Sequence, residues 1–439
     1  MPLQKGQQVT AETLHHTLVV QEKLGEGGQG EVYRVTDDNT DYALKWYNLE
    51  QSTKEQKEAI RYLVKHGAPK GIAGQRFIWP LDIITINKAT QFGYLMPLID
   101  TQHFAELGEI QAHRKPSPSL AILCEISYQI ANSYRALHLG GYCYRDISNG
   151  NVMFDPKKGE VLICDNDNVG INRHSKSQVW GTMEYMAPEV VRGDADPSIE
   201  TDLHSLAILL FNLWVWHHPL HGEMEYQIYV WDVPAKRCIY GESPVFIFNP
   251  TDKRNQLPND PEYDIAHQRW DYCPPSLQTF FTRAFTDGLN NPALRVTEGE
   301  WQTLFLQLKD SAIACSNCHA ENLWDTKTLN CWHCQTEITI PPKLIFYYTS
   351  GQCPVLLTQK TKLFQRHIQP NTDMPNHIIG EVIQNPNNPN MWGIRNLTKT
   401  KWTATFPDGN TKSIESQRAA PLNLGLKLNI EGTKAEIMA

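Results

Sequence analysis

Residues 25–30 read Gly-Glu-Gly-Gly-Gln-Gly and lie between two strand-like runs, Leu18-Val-Val20 before them and Val32-Tyr-Arg-Val35 after. Glycines let a backbone come close to a polyphosphate and turn its N–H groups toward oxygen. Gly25, Gly27 and Gly30 fit a G-x-G-x-x-G spacing, with Gly28 a further glycine inside it; on its own such a match is equally a plain turn. The flanking residues narrow the choice. A dinucleotide-binding loop opens a helix, whereas here a strand continues, and the next strand-like run, Tyr42-Ala43-Leu44-Lys45, ends on a lysine fifteen residues after Gly30. The expectation is a glycine loop followed by a strand and then a strand that ends on a lysine, which is not the order of a dinucleotide-binding unit.

The 439 residues, 41% apolar and 20% charged, suffice for two or three domains and exclude disordered, collagen and coiled-coil classes. A net charge of −8 argues against a dedicated nucleic-acid binder. The longest apolar run, Leu206 to Trp216, contains Asn212 and is too short to span a bilayer, and the first ten residues hold no apolar signal core. A cytoplasmic protein with no membrane partner is expected. Residues 15–100 read as strands around one helix at 52–66, residues 118–310 as longer helices including Leu120–Leu139 and 201–216, and residues from 341 onward as short strands between turn signals. Of the ten cysteines, Cys124, Cys143, Cys164, Cys238, Cys273 and Cys353 are scattered and expected to be buried, whereas Cys315, Cys318, Cys331 and Cys334 form two CxxC pairs twelve residues apart.

Further along stand Tyr144-Arg145-Asp146-Ile-Ser148-Asn-Gly-Asn151, then a buried-strand run Val161-Leu-Ile-Cys164 ending on Asp165-Asn166-Asp167, then Gly181-Thr182-Met-Glu-Tyr185-Met-Ala187-Pro188-Glu189. Together with the glycine loop and Lys45, this ordered set resembles bacterial protein kinases of the eukaryotic-like Ser/Thr type over residues 15–310. The resemblance implies an α+β, bilobal kinase fold, with an N-lobe of about 15–96 and a C-lobe of about 100–310. Lys45 would hold the α- and β-phosphates of ATP and pair with a helix glutamate, Glu58 first and Glu55 second. Asp146 would accept the proton of the acceptor hydroxyl, and Asn151 and Asp165 would bind Mg2+. Val32, Ala43 and Met153 would sandwich adenine, Met96 would be the gatekeeper, Pro97 would offer its carbonyl and Ile99 its N–H. Glu189, Asp202 and Arg295 would be architectural. Thr182 favours a serine or threonine acceptor.

Four residues depart from the family pattern. Tyr144 stands for a histidine, Ser148 for a lysine that would contact the γ-phosphate, and Asp165-Asn166-Asp167 for Asp-Phe-Gly. Asp167 is read as a turn carboxylate or an extra metal ligand. Ser175 and Ser177, flanked by Arg173, His174 and Lys176, are expected sites of autophosphorylation, with Thr182 spared and Arg145 receiving the phosphate.

The paired cysteines predict a zinc ribbon over 311–340 with four thiolates closing a structural site, and His319 and His333 outside the ligand set. Residues 341–439 faintly resemble a forkhead-associated β-sandwich without its phosphothreonine-gripping residues. The whole arrangement is similar to kinases of tellurite-resistance-associated gene clusters, which implies protein substrates, a PP2C-type phosphatase and a von Willebrand A-type protein as partners, and a role in bacterial signalling or stress response. A nucleotide-binding pseudokinase scaffold is the alternative.

Overall fold

The computed structural model describes the chain apart from residues 1, 38–39, 87–88, 101, 173–180, 326–328, 350, 371 and 373. Ser175 and Ser177, with the basic residues around them, therefore lie outside the described residues. The chain divides into two compact units, residues 1–118 with 125–302, and residues 119–124 with 303–439.

In the first unit, β1 (Gln8–Ala11), β2 (Thr17–Gly27), β3 (Gly30–Thr36), β4 (Asp41–Tyr47), β5 (Asp82–Thr85) and β6 (Phe92–Pro97) form a closed antiparallel barrel in the order β1-β2-β3-β4-β6-β5. The closing strand β1 begins ahead of residue 15, the expected domain start, and pairs with both β2 and β5. Alternation along these strands sends Val9, Leu18, Val20, Val35, Leu44, Trp46, Ile84 and Leu95 into one core. Helix α1 (Lys54–His66) follows β4. Thr53 caps it by accepting from Gln56 N at 3.1 Å, Glu55 lies in the first turn and Lys65 and His66 in the last, all in accord with the helix dipole. Ile60 and Leu63 are its buried residues.

Helices dominate the rest of this unit: α2 (Leu107–Gln111), α3 (Leu120–Leu139, of which residues 120–124 are counted with the second unit), α4 (Pro188–Arg192) and α5 (Ile199–Val215), followed by further helices including Asp264–Tyr272 and Pro275–Phe285. From Thr201 to Val215 every residue of α5 is buried, as an all-round apolar helix in the middle of a lobe must be. Two short ladders lie among the helices: β7 (Tyr142–Cys143) with β10 (Gly170–Ile171), and β8 (Val152–Phe154) with β9 (Val161–Ile163). The last helix of this region spans Glu298–Asp310, with residues 303–310 counted in the second unit.

The second unit holds two hairpins, Ala312–Ala314 with Glu321–Leu323 and Leu329–Asn330 with Glu337–Ile338, each carrying one cysteine pair. Beyond them, six strands pair in the order Gly351–Leu356, Lys343–Tyr348, Thr433–Met438, Lys427–Ile430, Trp402–Thr405, Thr411–Ile414. Four more pair as Lys362–Phe364, Ile378–Asn385, Asn388–Asn396, Ala419–Pro421. Both sheets contribute to a single core that includes Phe346, Leu363, Ile379, Ile394, Trp402, Leu428 and Ile437. Asp310, buried, accepts from Arg366 Nη2 at 2.6 Å and His367 Nε2 at 2.8 Å, so a charge at the end of a helix is matched inside this unit.

Candidate active site and metal centre

The glycine turn is the tip of the β2–β3 hairpin, where Gly27 pairs with Gly30. A Cβ at Gly30 would sit 2.2 Å from the Trp46 carbonyl oxygen, so strand packing alone requires glycine there. Cβ atoms at Gly25, Gly27 and Gly28 would meet nothing within 4 Å, which leaves their backbone open to a ligand. Asn48 fixes the turn by donating its N–H to Gln29 O at 2.9 Å and Nδ2 to Gly28 O at 3.3 Å.

Lys45, 5% exposed, faces four acceptor atoms. Its Nζ lies 2.8 Å from Gln29 Oε1, 3.0 and 3.3 Å from the two Asp167 oxygens, and 3.3 Å from Asp165 Oδ1. Burial opposes the ammonium charge, but Asp167 and Asp165 outweigh it and hold Lys45 above its ordinary pKa. Asp167 also accepts from the buried Tyr47 hydroxyl at 2.5 Å, and burial beside that carboxylate raises the phenol well above its usual range. Tyr47 in turn accepts from Gln56 Nε2 at 3.1 Å.

This arrangement corrects the expected lysine–glutamate pair. Glu58 is exposed and accepts from Arg61 Nη1 at 2.5 Å, while Arg61 and Lys57 both engage Glu12 just beyond β1. Glu55 is exposed too. Gln56 is the α1 residue turned toward the site, four residues before Ile60 and seven before Leu63, on the helix's buried face. That phase is present in the sequence, and spacing to His66-Gly67 obscures it. Asp167 is not a loose turn residue: its side chain is wholly buried, with its carboxylate engaged by Lys45 and Tyr47.

On the other side of the cleft, Asp146 has both oxygens engaged. Oδ1 accepts from the Thr182 N–H at 2.9 Å and its hydroxyl at 3.0 Å, and Oδ2 from Asn151 Nδ2 at 3.1 Å. Thr182 comes this close because Gly181, at φ 80°, turns the chain where a Cβ would lie 2.5 Å from the Arg145 carbonyl oxygen. Asp202, near the start of α5, accepts from the Tyr144 N–H at 2.5 Å and the Arg145 N–H at 3.0 Å, which sets the loop before Asp146. Behind it, His138 binds Asp202 through Nε2 at 3.1 Å and Glu298 through Nδ1. Burial disfavours that imidazolium, yet the two carboxylates lift its pKa to about 9. Tyr144 fills the family's histidine position as a buried aromatic whose hydroxyl donates to Cys164 O. Asn166 is fully buried and donates to Ile78 O and Ile163 O, each at 2.9 Å. Arg295 makes two 2.8 Å bonds to Glu189, as a buried pair requires.

Asp165, at φ 50°, ends the β9 run with its carboxylate partly exposed beside Lys45, and Cys164 N donates to Asn151 O at 2.9 Å, so the main chains of the two expected magnesium ligands run side by side. Strand register puts Val32 opposite Lys45 and Ala43 opposite Met96, so these four share one face of the barrel. Pro97 ends β6, Ile99 follows two residues later, and Met153 lies in β8.

The four thiols of Cys315, Cys318, Cys331 and Cys334 lie within 4.8 Å of one another, with the 315–334 and 318–331 sulfurs at 3.7 and 3.5 Å. Four zinc–sulfur bonds of about 2.3 Å in a tetrahedron place sulfurs about 3.8 Å apart, so the set fits that ion. Asn322 joins the two loops, donating to Cys331 Sγ at 3.6 Å and accepting from Trp332 N at 3.0 Å. His319 and His333 are not in the cluster.

Among known proteins, a 244-residue stretch is 28% identical to the serine/threonine-protein kinase PknL of Mycobacterium bovis, covering 52% of this chain and 58% of that one. Protein kinase C delta type of Rattus norvegicus is 30% identical over 132 residues, 29% of this chain and 18% of its own length. Serine/threonine-protein kinase SCH9 of Candida albicans is 25% identical over 220 residues, 47% and 26% respectively. The chain thus spans less than two thirds of the curated relatives it matches. The family model described as a protein kinase domain matches residues 18–250, more than half of the sequence, and the chain belongs to that family.

Proposed function

We propose that the protein transfers the γ-phosphoryl group of ATP to serine or threonine hydroxyls of protein substrates. The observation that carries this is the state of Asp146: Asn151 and Thr182 orient its carboxylate from two sides, as a group that must meet an incoming hydroxyl has to be oriented. Asp146 would accept the proton of that hydroxyl. Lys45 would bind the α- and β-phosphates, and the open backbone of Gly25, Gly27 and Gly28 would cover them. Asp165 and Asn151 offer the hard oxygen ligands that Mg2+ prefers, and the ion, when bound, neutralises phosphate charge. Val32, Ala43, Met96 and Met153 would enclose adenine between the hinge residues Pro97 and Ile99.

Ser148 and Gln29 favour a second reading, a nucleotide-binding pseudokinase. Ser148 supplies no cation for the γ-phosphate, and the Gln29 side-chain oxygen accepts from Lys45 where a phosphate oxygen would bind. Transfer of labelled phosphate from ATP with Mg2+, wild type against Asp146→Asn, decides between the two. Loss in the variant supports the enzyme, and equal background in both supports the scaffold.

The finer reading comprises a four-cysteine zinc ribbon at 311–340, a forkhead-associated-like sandwich at 341–439, and cytoplasmic signalling with a PP2C-type phosphatase and a von Willebrand A-type protein. Sulfur spacing supports the first, and the shared core of the two tail sheets supports the second. The partners rest on the resemblance. No described helix is long and apolar enough to cross a membrane. Metal analysis of the purified protein should find about one zinc per chain, lost in Cys318→Ser with nucleotide affinity unchanged; absence of zinc in the wild type would remove the ribbon assignment.

A further inference from the structure

Asp167 occupies the glycine position of the family's metal motif, where no side chain is expected, yet its carboxylate is among the most enclosed in the first unit. Its side chain has no exposed surface and bonds to two donors, Lys45 Nζ at 3.0 Å and Tyr47 Oη at 2.5 Å. A buried carboxylate is retained only with charge or hydrogen-bond partners, and a buried ammonium likewise. The two groups therefore match each other. The helix supplies no competing charge: among the described residues Glu58 is taken by Arg61, Glu55 is exposed, and the neutral Gln56 meets Tyr47 and, at 3.4 Å, the Asp167 carbonyl oxygen. Asn166, next in the chain, is tied to Ile78 O and Ile163 O, which holds the motif against rotation.

We propose that Asp167 is the positioning residue of Lys45, taking the place that an α1 glutamate would fill, so that the lysine is set by the metal motif itself and not by the placement of the helix. The proposal rests on the site assignment made above. It has a regulatory consequence. Where the lysine's partner lies on a helix, swinging the helix breaks the pair and silences the site. Here Lys45 and its partner are joined through β4 and the segment after β9, so a shift of α1 breaks neutral hydrogen bonds from Gln56 and leaves the ion pair standing.

The whole chain is titrated with ATP and Mg2+, following both nucleotide affinity and phosphate transfer. Asp167→Asn should weaken nucleotide binding by about tenfold or more, the order expected when a buried ammonium loses the nearer and wholly buried of its two carboxylates and keeps only the partly exposed Asp165 at 3.3 Å. Glu58→Ala and Glu55→Ala should each stay within about twofold of wild type, since neither touches the site. Because Asp167 is argued to act through Lys45, the same substitution made on Lys45→Met should add less than about twofold, a non-additivity that a purely structural role would not produce. Should Asp167→Asn fail to fold by its melting curve, the pair Asp167→Gly with Gln56→Glu restores a glycine to the motif and a carboxylate to the helix, and should bind ATP within about threefold of wild type. Wild-type affinity in Asp167→Asn, a full additional loss on Lys45→Met, a large loss in Glu58→Ala, or failure of the compensated pair to bind would each overturn the proposal. A wild type that transfers no phosphate sinks the enzyme reading alone, because the affinities still decide this one.

Discussion

The two sides of the cleft are built by different rules. On the helical side, Asp146 is held by Asn151 and Thr182, Asp202 accepts from the Arg145 N–H, and Glu189 and Arg295 form the buried pair that the resemblance implies. On the barrel side, Lys45 keeps its place while its surroundings change: a glutamine faces in from α1, a glutamine from the glycine turn caps the ammonium, and an aspartate from the metal motif neutralises it. Proton acceptance from a hydroxyl tolerates little variation in geometry, because the base must sit within hydrogen-bond reach of its target. Holding a lysine requires only negative charge at the right distance, and that charge can come from any neighbouring segment. The comparison teaches that this chain keeps the positions of reacting atoms more strictly than the sources of the charges that support them.

The largest effect that would break this comparison is expected at the point where the two sides meet. Asp165→Ala should lower phosphate transfer by about a thousandfold or more with the melting temperature little changed, since its carboxylate is partly exposed beside Lys45 and the proposed function gives it the metal. Near-normal turnover in a folded variant would mean that the barrel side has transferred the metal role elsewhere as well. Next in size is the buried pair of the helical side. Glu189→Ala leaves Arg295, 4% exposed, without its carboxylate and should cost about 3–5 kcal/mol of stability in urea unfolding. A loss below about 1 kcal/mol would show that Glu200 O and Gly288 O already satisfy the guanidinium.

His138 gives a pH test of the same side. Its pKa is about 9 in the folded protein against an ordinary value of 6.5. A raised folded-state pKa means that the stabilisation is fully present below pH 6.5 and is lost as pH rises through 9. Unfolding free energy should therefore fall across that window by an amount on the order of 3 kcal/mol, and the slope should be absent in His138→Gln. A flat profile in the wild type would show that Asp202 and Glu298 do not hold the imidazolium.

The same division governs what can be read from the sequence. Asp146 and Asn151 lie five residues apart in one loop, so their spacing carries their geometry, and the fold class with its main helices follows from such local patterns. Lys45 and Asp167 are 122 residues apart, and nothing local links them. Their pairing depends on which α1 residue faces inward, a question of helical phase that Ile60 and Leu63 answer once Gln56 is placed on their face. Strand β1 is hard to read for a related reason: four residues, Gln-Val-Thr-Ala, give too short an alternation, and one of its partners, β5, lies more than seventy residues away. In the tail, strand content is legible from turn signals, whereas the assignment of strands to two sheets depends on long-range pairs such as Lys343 with Met438.

The smallest expected effect sharpens the comparison most, because its sign is informative. Gln29 Oε1 sits 2.8 Å from Lys45 Nζ at the tip of the glycine turn, and its Nε2 reaches Asn168 Oδ1 only at 3.5 Å. A nucleotide phosphate entering the site must take over the acceptor role that Gln29 fills, and a hydrogen bond to a charged group is worth about 1.5–3 kcal/mol net when well sheltered, less at a half-exposed turn. Gln29→Ala removes that competitor while Asp167 and Asp165 continue to hold the lysine, and the turn itself stays fixed by Asn48 through backbone atoms of Gly28 and Gln29. ATP should then bind about two- to tenfold more tightly in an equilibrium titration with Mg2+, with the rate at saturating ATP nearly unchanged. Weaker binding in the variant would place the Gln29 side chain on the nucleotide itself, and the barrel side would then be built to grip with its turn and not to be displaced from its lysine.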